Sequence, residues 1–139
     1  METSIDELLS LGCISEVSAE PDIVNPLSVS ISKSGKKRLI LLDLRHINKC
    51  FFKNKFRCED ISIVKEILNP GDFMFSFDLK SGYHHVEIFP EHRRFLSFSR
   101  VFPNGKVRYF QFSVLPFGLS SAPYLFTKLL FLFIFFTSI

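Results

Sequence analysis

The apolar positions of this chain change period several times, and each change marks an element. Ile5, Leu8, Leu9 and Leu11 recur at helical spacing. They follow Ser4-Ile-Asp-Glu7, a capping-box arrangement in which hydroxyl and carboxylate satisfy the orphan amides of a helix start, and Gly12 ends the run. Ile23 to Ser32 and Lys37 to Leu44 read as two strands around the turn Ser32-Lys-Ser-Gly-Lys36, a hairpin with a basic tip. A second helix opens at Glu59-Asp60, carries Ile61, Ile63, Val64, Ile67 and Leu68 on one side, and stops at Asn69-Pro-Gly71.

Strict alternation comes next. In a strand it sends Phe73, Phe75 and Phe77 to the core and leaves Met74, Ser76 and Asp78 together on the other face. Pro103-Asn-Gly105 then joins two further strands, Arg94 to Phe102 and Lys106 to Val114. The alternation of the second is imperfect, so the pattern places that strand without a register. Ser121 is the expected N-cap of a last helix, with Pro123 in its first turn, running through Phe126 and Leu130. Beyond it, Phe131-Leu-Phe-Ile-Phe-Phe136 is apolar on every side and reads as an aggregation liability. The apolar run from Leu129 to Ile139 falls short of the ~20 residues that span a bilayer, so no membrane anchor is expected.

With 139 residues the chain is one domain's worth, able to bury roughly two-thirds of its unfolded surface. Eighteen Phe and no Trp make an aromatic-rich core the expectation. Cys13, Cys50 and Cys58 are odd in number and lack metal-ligand spacing, which indicates reduced thiols and an intracellular location. The acidic start Met1-Glu-Thr-Ser-Ile-Asp is unlike a secretory leader. Net charge is +3, but it is unevenly distributed. Residues 1–24 hold six acids and no Lys or Arg, whereas Lys33 to Arg57 holds nine basic residues against Asp43 alone. A basic stretch over alternating apolar residues suits a phosphate-binding surface, where it releases condensed counterions; a merely solvated strand face is the other reading.

Asp78 is the candidate for chemistry. A carboxylate held at the end of an apolar strand needs solvent, a partner or a metal, and an N-cap for Leu79-Lys-Ser-Gly is the competing role. Asp78-Leu-Lys-Ser-Gly-Tyr83, followed by Leu115-Pro-Phe-Gly-Leu-Ser-Ser-Ala-Pro123, resembles the first two palm motifs of retrotransposon reverse transcriptases, of the LTR and tyrosine-recombinase kinds. Asn25-Pro-Leu-Ser-Val29 with Lys36-Lys-Arg-Leu-Ile-Leu-Leu-Asp-Leu-Arg-His-Ile-Asn48 resembles the fingers hairpin of the same family. The likeness runs in the family's order from about Ile5 to about Leu130.

The resemblance implies an α+β fold, a partial right-hand polymerase with a fingers hairpin and an antiparallel palm sheet with packed helices. Residues 1–70 would be fingers, 71–130 a partial palm and 131–139 an atypical tail. It implies Mg2+, template-primer and dNTP as ligands, with Asp78 as one of three metal-binding aspartates. Tyr83 would be the ring that lies against the sugar and disfavours a 2′-hydroxyl. Phe117 and Gly118 would form the turn against nucleotide and template, and Lys36, Lys37 and Arg38 would neutralise the triphosphate.

Two departures stand out. There is no Asp-Asp pair, so two of the three aspartates are not found here and no polymerisation by this chain alone is expected. Arg38 lies five residues before Asp43 where the family has four; Leu41-Leu42 carries the extra residue, which reverses a side chain's face unless a bulge absorbs it. His84 and His85, adjacent in sequence, point oppositely in a strand and read as structural or surface residues rather than one chelate. A non-catalytic nucleic-acid-binding remnant and a non-functional truncated product are the alternatives.

Overall fold

The computed structural model describes residues 2–31, 38–51, 61–74 and 76–137. It is a mixed α/β chain with two antiparallel sheets. Helix α1 (Glu2–Ser10) buries Ile5 and Leu8 in the core. It begins before Ser4, so Ser4 lies inside the helix and the expected capping box does not form. The other end behaves as read: Gly12 has φ +69°, Gly12 N–H donates to Leu9 O at 3.0 Å, and Cys13 N–H donates to Leu8 O at 2.9 Å. This pair of reversed bonds satisfies the last helix carbonyls and turns the chain into strand β1 (Ile14–Val17).

Strand β1 pairs with β5 (Val107–Phe112), and β5 pairs with β4 (Ser97–Val101), in the order β1-β5-β4. Even-numbered positions of β5 face inward. Phe110 and Phe112 are fully buried, and Phe110 stands opposite Phe98 with ring centroids 5.4 Å apart. That face continues outward to Arg108, which explains the imperfect alternation: its guanidinium is in the pattern's apolar position, lying over the rings of Phe102 at 4.7 Å and Phe110 at 5.4 Å. Arg108 also donates two hydrogen bonds to Glu16. The turn after β4 closes as expected, with Phe102 N–H donating to Lys106 O at 2.9 Å and Gly105 at φ +75°. Arg94–Leu96 is a 3-10 turn rather than the start of β4.

The second sheet is the hairpin of β2 (Leu27–Ile31) and β3 (Arg38–Leu42). Its ladder runs unbroken from Leu27 opposite Leu42 to Ile31 opposite Arg38, so no bulge absorbs the extra residue within these strands. Asn25 ties the hairpin to the larger sheet. It is buried, and its Nδ2 donates to the carbonyls of Phe95 and Ser97, each at 2.9 Å, while its own N–H donates to Ser97 O at 2.8 Å. Helices α2 (Arg45–Asn48) and α3 (Ile61–Ile67) follow, then α4 (Pro90–Arg93) and α5 (Ala122–Thr137). Helix α5 continues well past Leu130, with Phe131, Leu132 and Phe133 exposed. No helix among the described residues is long and apolar enough to cross a membrane.

The alternating segment departs most from expectation. None of the described residues between Phe73 and Leu79 is in a strand, Phe73 is wholly exposed at 104% and Phe77 remains 58% exposed. Phe75 lies outside the described residues. Alternation supplies a face, but an extended segment becomes a strand only beside another that accepts its backbone bonds.

Hydrogen bonding from Arg108 holds the Glu16 carboxyl below the usual carboxylate range, with the Arg108 charge adding to it and burial opposing. A depressed carboxylate stabilises the fold above the ordinary carboxylate range, and that contribution disappears as pH falls through the depressed folded value. For this half-exposed pair it amounts to about 0.2–1 kcal/mol. Glu16→Gln is expected to lose that amount at neutral pH and to match the parent chain in acid, as read by urea unfolding at the two pH values.

Candidate functional site

A cavity of about 310 Å³ opens between the segment after α3, the Pro116-Phe-Gly118 corner and α5. Its lining joins Asp78 to Phe77, Leu79, Gly82, Tyr83, Phe117, Phe126 and Leu130. Tyr83 lies in a short 3-10 turn, Gly82–His85, entered through Ser81 in the left-handed region at φ 54°. That turn aims the Tyr83 ring at two others, with centroids 5.2 Å from Phe117 and 5.5 Å from Phe126. Gly82 is close to Phe126, whose ring tip would lie 2.8 Å from an added Cβ. Three rings therefore form one wall, and Asp78 lines the same cavity.

Asp78 is exposed and lies on an irregular segment, not at a strand end. Nor does it cap a helix, because the residue preceding the 3-10 turn is Ser81. Neither local expectation for it holds. What the fold does provide is its neighbourhood with Tyr83 and Phe117.

The corner is held from behind by the hairpin. Gly118 has φ +107°, and a Cβ there would collide with the carbonyl oxygen of Leu42 in β3. Leu42 N–H donates to Phe117 O at 3.3 Å. Asn48 at the end of α2 donates from Nδ2 to Gly118 O at 2.9 Å and accepts from Ser120 N–H at Oδ1, also at 2.9 Å. Asp43, between them, is clamped by Arg45, which donates to both carboxylate oxygens and by that hydrogen bonding lowers the carboxyl's pKa. Ser121 precedes α5 as expected, but its buried Oγ has no hydrogen-bond partner among the described residues, so the hydroxyl does not cap the helix.

His84 packs edge-on against Phe117 at 5.5 Å, and burial, with a smaller contribution from His85, lowers its pKa. His85 Nε2 lies 3.1 Å from Lys80 O. Both lie in the 3-10 turn rather than in a strand, so the opposite orientation expected of strand neighbours does not apply to them. Glu87 is exposed and 3.8 Å from Arg93, which also donates to Ile88 O. Cys13 is buried and Cys50 exposed. Lys36 and Lys37 lie outside the described residues; Arg38 opens β3, and its side chain is likewise outside them.

The donor set does not fit a pair of divalent ions. Among the described residues no three His, Cys, Asp or Glu side chains converge, and Asp78 is the one acid among the described residues lining the cavity. Two ions bridged by phosphate need several carboxylates to offset their charge. The arrangement present can instead receive a flat or ring-shaped group against aromatic walls beside a single negative charge.

Sequence reasoning singled out Asp78, Tyr83, Phe117 and Gly118 but gave no role to Asn48, Phe126 or Leu130. The signal for Asn48 was its place at the end of the hairpin motif; for Phe126 and Leu130 it was their spacing of four, which puts both on one side of α5.

A mixed α/β chain with an aromatic cavity beside one carboxylate is what the geometry defines. Comparison with known proteins places it further. No family model matches the chain. It is 33% identical over 110 residues, 79% of its length, to the retrovirus-related Pol polyprotein from transposon 412 of Drosophila melanogaster. It is 33% identical over 94 residues, 68% of its length, to the Pol polyprotein from transposon gypsy of the same fly. Against the enzymatic polyprotein of figwort mosaic virus (strain DxS) it is 28% identical over 128 residues, or 89% of the chain. The matches occupy only 8%, 8% and 18% of those relatives. The chain belongs with the Pol polyproteins of retroelements, as a segment of such a polyprotein.

Gly118→Ala combines a backbone conformation costing about 1–3 kcal/mol for a side-chain-bearing residue with a collision against Leu42. Gly105→Ala, also at positive φ but with nothing within 4 Å of the added methyl, meets only the first penalty. Thermal unfolding is therefore expected to show the Gly118 variant as the less stable of the two, and equal melting temperatures would contradict the close approach.

Proposed function

We propose that this chain is the fingers and first half of the palm of a retroelement reverse transcriptase, an RNA-directed DNA polymerase, and that Asp78, Tyr83, Phe117 and Gly118 belong to its nucleotide pocket. The observation that carries this reading is convergence. Two motifs far apart in sequence contribute Asp78, Tyr83 and Phe117 to one cavity, in a chain related to Pol polyproteins. Tyr83 and Phe117 offer stacking and shape selection to a sugar and base, and the absent methyl at Gly118 lets the corner backbone approach the hairpin. The basic stretch from Lys33 to Arg57 supplies positive charge for the phosphates of template-primer.

Magnesium would supply charge neutralisation in such an enzyme, but the residues here provide one acid where the resemblance calls for three. No catalytic step is assigned to this chain alone. A second reading, a nucleic-acid-binding segment without catalysis, is favoured by that same single carboxylate in a chain whose stretch from Lys33 to Arg57 carries nine basic residues.

Both readings are separated by titrating a deoxynucleoside triphosphate and a labelled template-primer with magnesium present. The polymerase-pocket reading expects saturable nucleotide binding that Phe117→Ala weakens about tenfold, the scale of one lost base–aromatic stack, with no primer extension. Template-primer affinity is expected to fall steeply with salt, and neutralising Lys36, Lys37 and Arg38 to flatten that slope by up to about 3. Template-primer binding without nucleotide binding would select the second reading; primer extension by the lone chain would overturn the assignment of catalysis to carboxylates it lacks.

A further inference from the structure

The corner carrying Phe117 is held by main-chain contacts with β3 and by one amide side chain. Asn48 uses both ends of its carboxamide on it, donating to Gly118 O and accepting from Ser120 N–H, across 70 and 72 residues of sequence. These bonds bracket the turn just after Phe117, while Leu42 N–H holds the Phe117 carbonyl from β3 at 3.3 Å. The backbone on which the Phe117 ring stands is thus attached at three successive points to residues 42–48, which also form the base of the hairpin.

We propose that Asn48 is a positioning residue that sets the pose of the Phe117 ring against Tyr83, and through it the width of the cavity at Asp78. The chemistry is specific to Asn. A carboxamide can donate and accept at once in a fixed plane, whereas Asp accepts only when ionised and would set a negative charge against the Gly118 carbonyl. Gly118, free of a Cβ and already in the left-handed region, has no side chain of its own to fix the turn, so the orientation of its carbonyl depends on the donor it meets. The link stands on geometry alone; its use in shaping a nucleotide pocket rests on the function proposed above.

Tyrosine makes the test direct, because the chain has three and no Trp. With ring-labelled tyrosine, Tyr83 is identified by Tyr83→Phe, and Phe117→Ala gives the signal expected once the neighbouring ring is gone. Asn48→Ala is expected to move the Tyr83 signal toward that Phe117→Ala position and to leave Tyr109 and Tyr124 in place. Asn48→Asp is expected to do the same at neutral pH and to return toward the parent signal in acid, where the protonated carboxyl can again donate to Gly118 O. An unmoved Tyr83 in either folded variant at neutral pH overturns the proposal. In the parent chain, where no substitution can disturb folding, the Ser120 amide is expected to exchange with solvent about fivefold or more slowly than an open amide, the effect of one net hydrogen bond; exchange at the open rate overturns it too. If Tyr83 responds as expected but the parent chain binds no nucleotide, the nucleotide reading fails and the positioning role of Asn48 stands.

Discussion

Backbone packed on backbone is the contact that organises this molecule. At Gly118 the Pro-Phe-Gly corner comes against the carbonyl of Leu42 so closely that no side chain fits between them. Most contacts between a loop and a strand are made through side chains, which can shift by an ångström at little cost; an approach between main chains cannot. Because it cannot, the corner and the β2–β3 hairpin behave as one piece. The buried residues just beyond the corner, Leu119 and Ala122, then fix where α5 starts, and α5 brings Phe126 and Leu130 to the cavity.

The cavity inherits its character from that arrangement. Its walls come from a 3-10 turn, a Gly-containing corner and a helix, so they are aromatic and closely spaced, and they need no partner beyond one another. The charge beside them is of a different kind. A lone exposed carboxylate is stable in water but holds a divalent ion weakly, since affinity for hard cations grows with the number of anionic oxygens around them. The described walls can thus accept a ring-shaped group, and the described cavity residues offer one acid to a cation.

Where the sequence could be read and where it could not follows from what each pattern encodes. The β4–β5 turn was legible because Asn104 and Gly105 act within a few residues: Asn104 Oδ1 accepts from Lys106 N–H and Gly105 takes positive φ. The stop of α1 at Gly12 was legible for the same reason. Its start was not, because Ser4 and Glu7 suit a capping box equally well on paper and helix starts depend on what precedes them. The register of β5 was hidden by Arg108, a charged residue occupying an inward-facing position through its rings and its Glu16 partner. Asn48 closes the hairpin motif, but its role was hidden because its partners lie 70 and 72 residues away.

The alternating phenylalanines are the instructive failure. Period-two spacing records that a stretch was shaped by two different environments, one on each face; it does not record that this chain supplies them. In the larger sheet β5 is flanked by β1 and β4, and its Phe110 and Phe112 share one buried cluster with Ile5 and Leu8 of α1, so they are fully buried. Phe73 and Met74 have neither neighbour strand nor covering helix among the described residues, and they stand in solvent. Phe131 and Leu132 on α5 show the same mismatch in helical form, as apolar residues left about half exposed. Both exposed stretches adjoin cavity residues, Phe77 on one and Leu130 on the other. The apolar surface left in water thus adjoins the cavity, and burial there would change the surroundings of Asp78, the one acid among the described residues that line it.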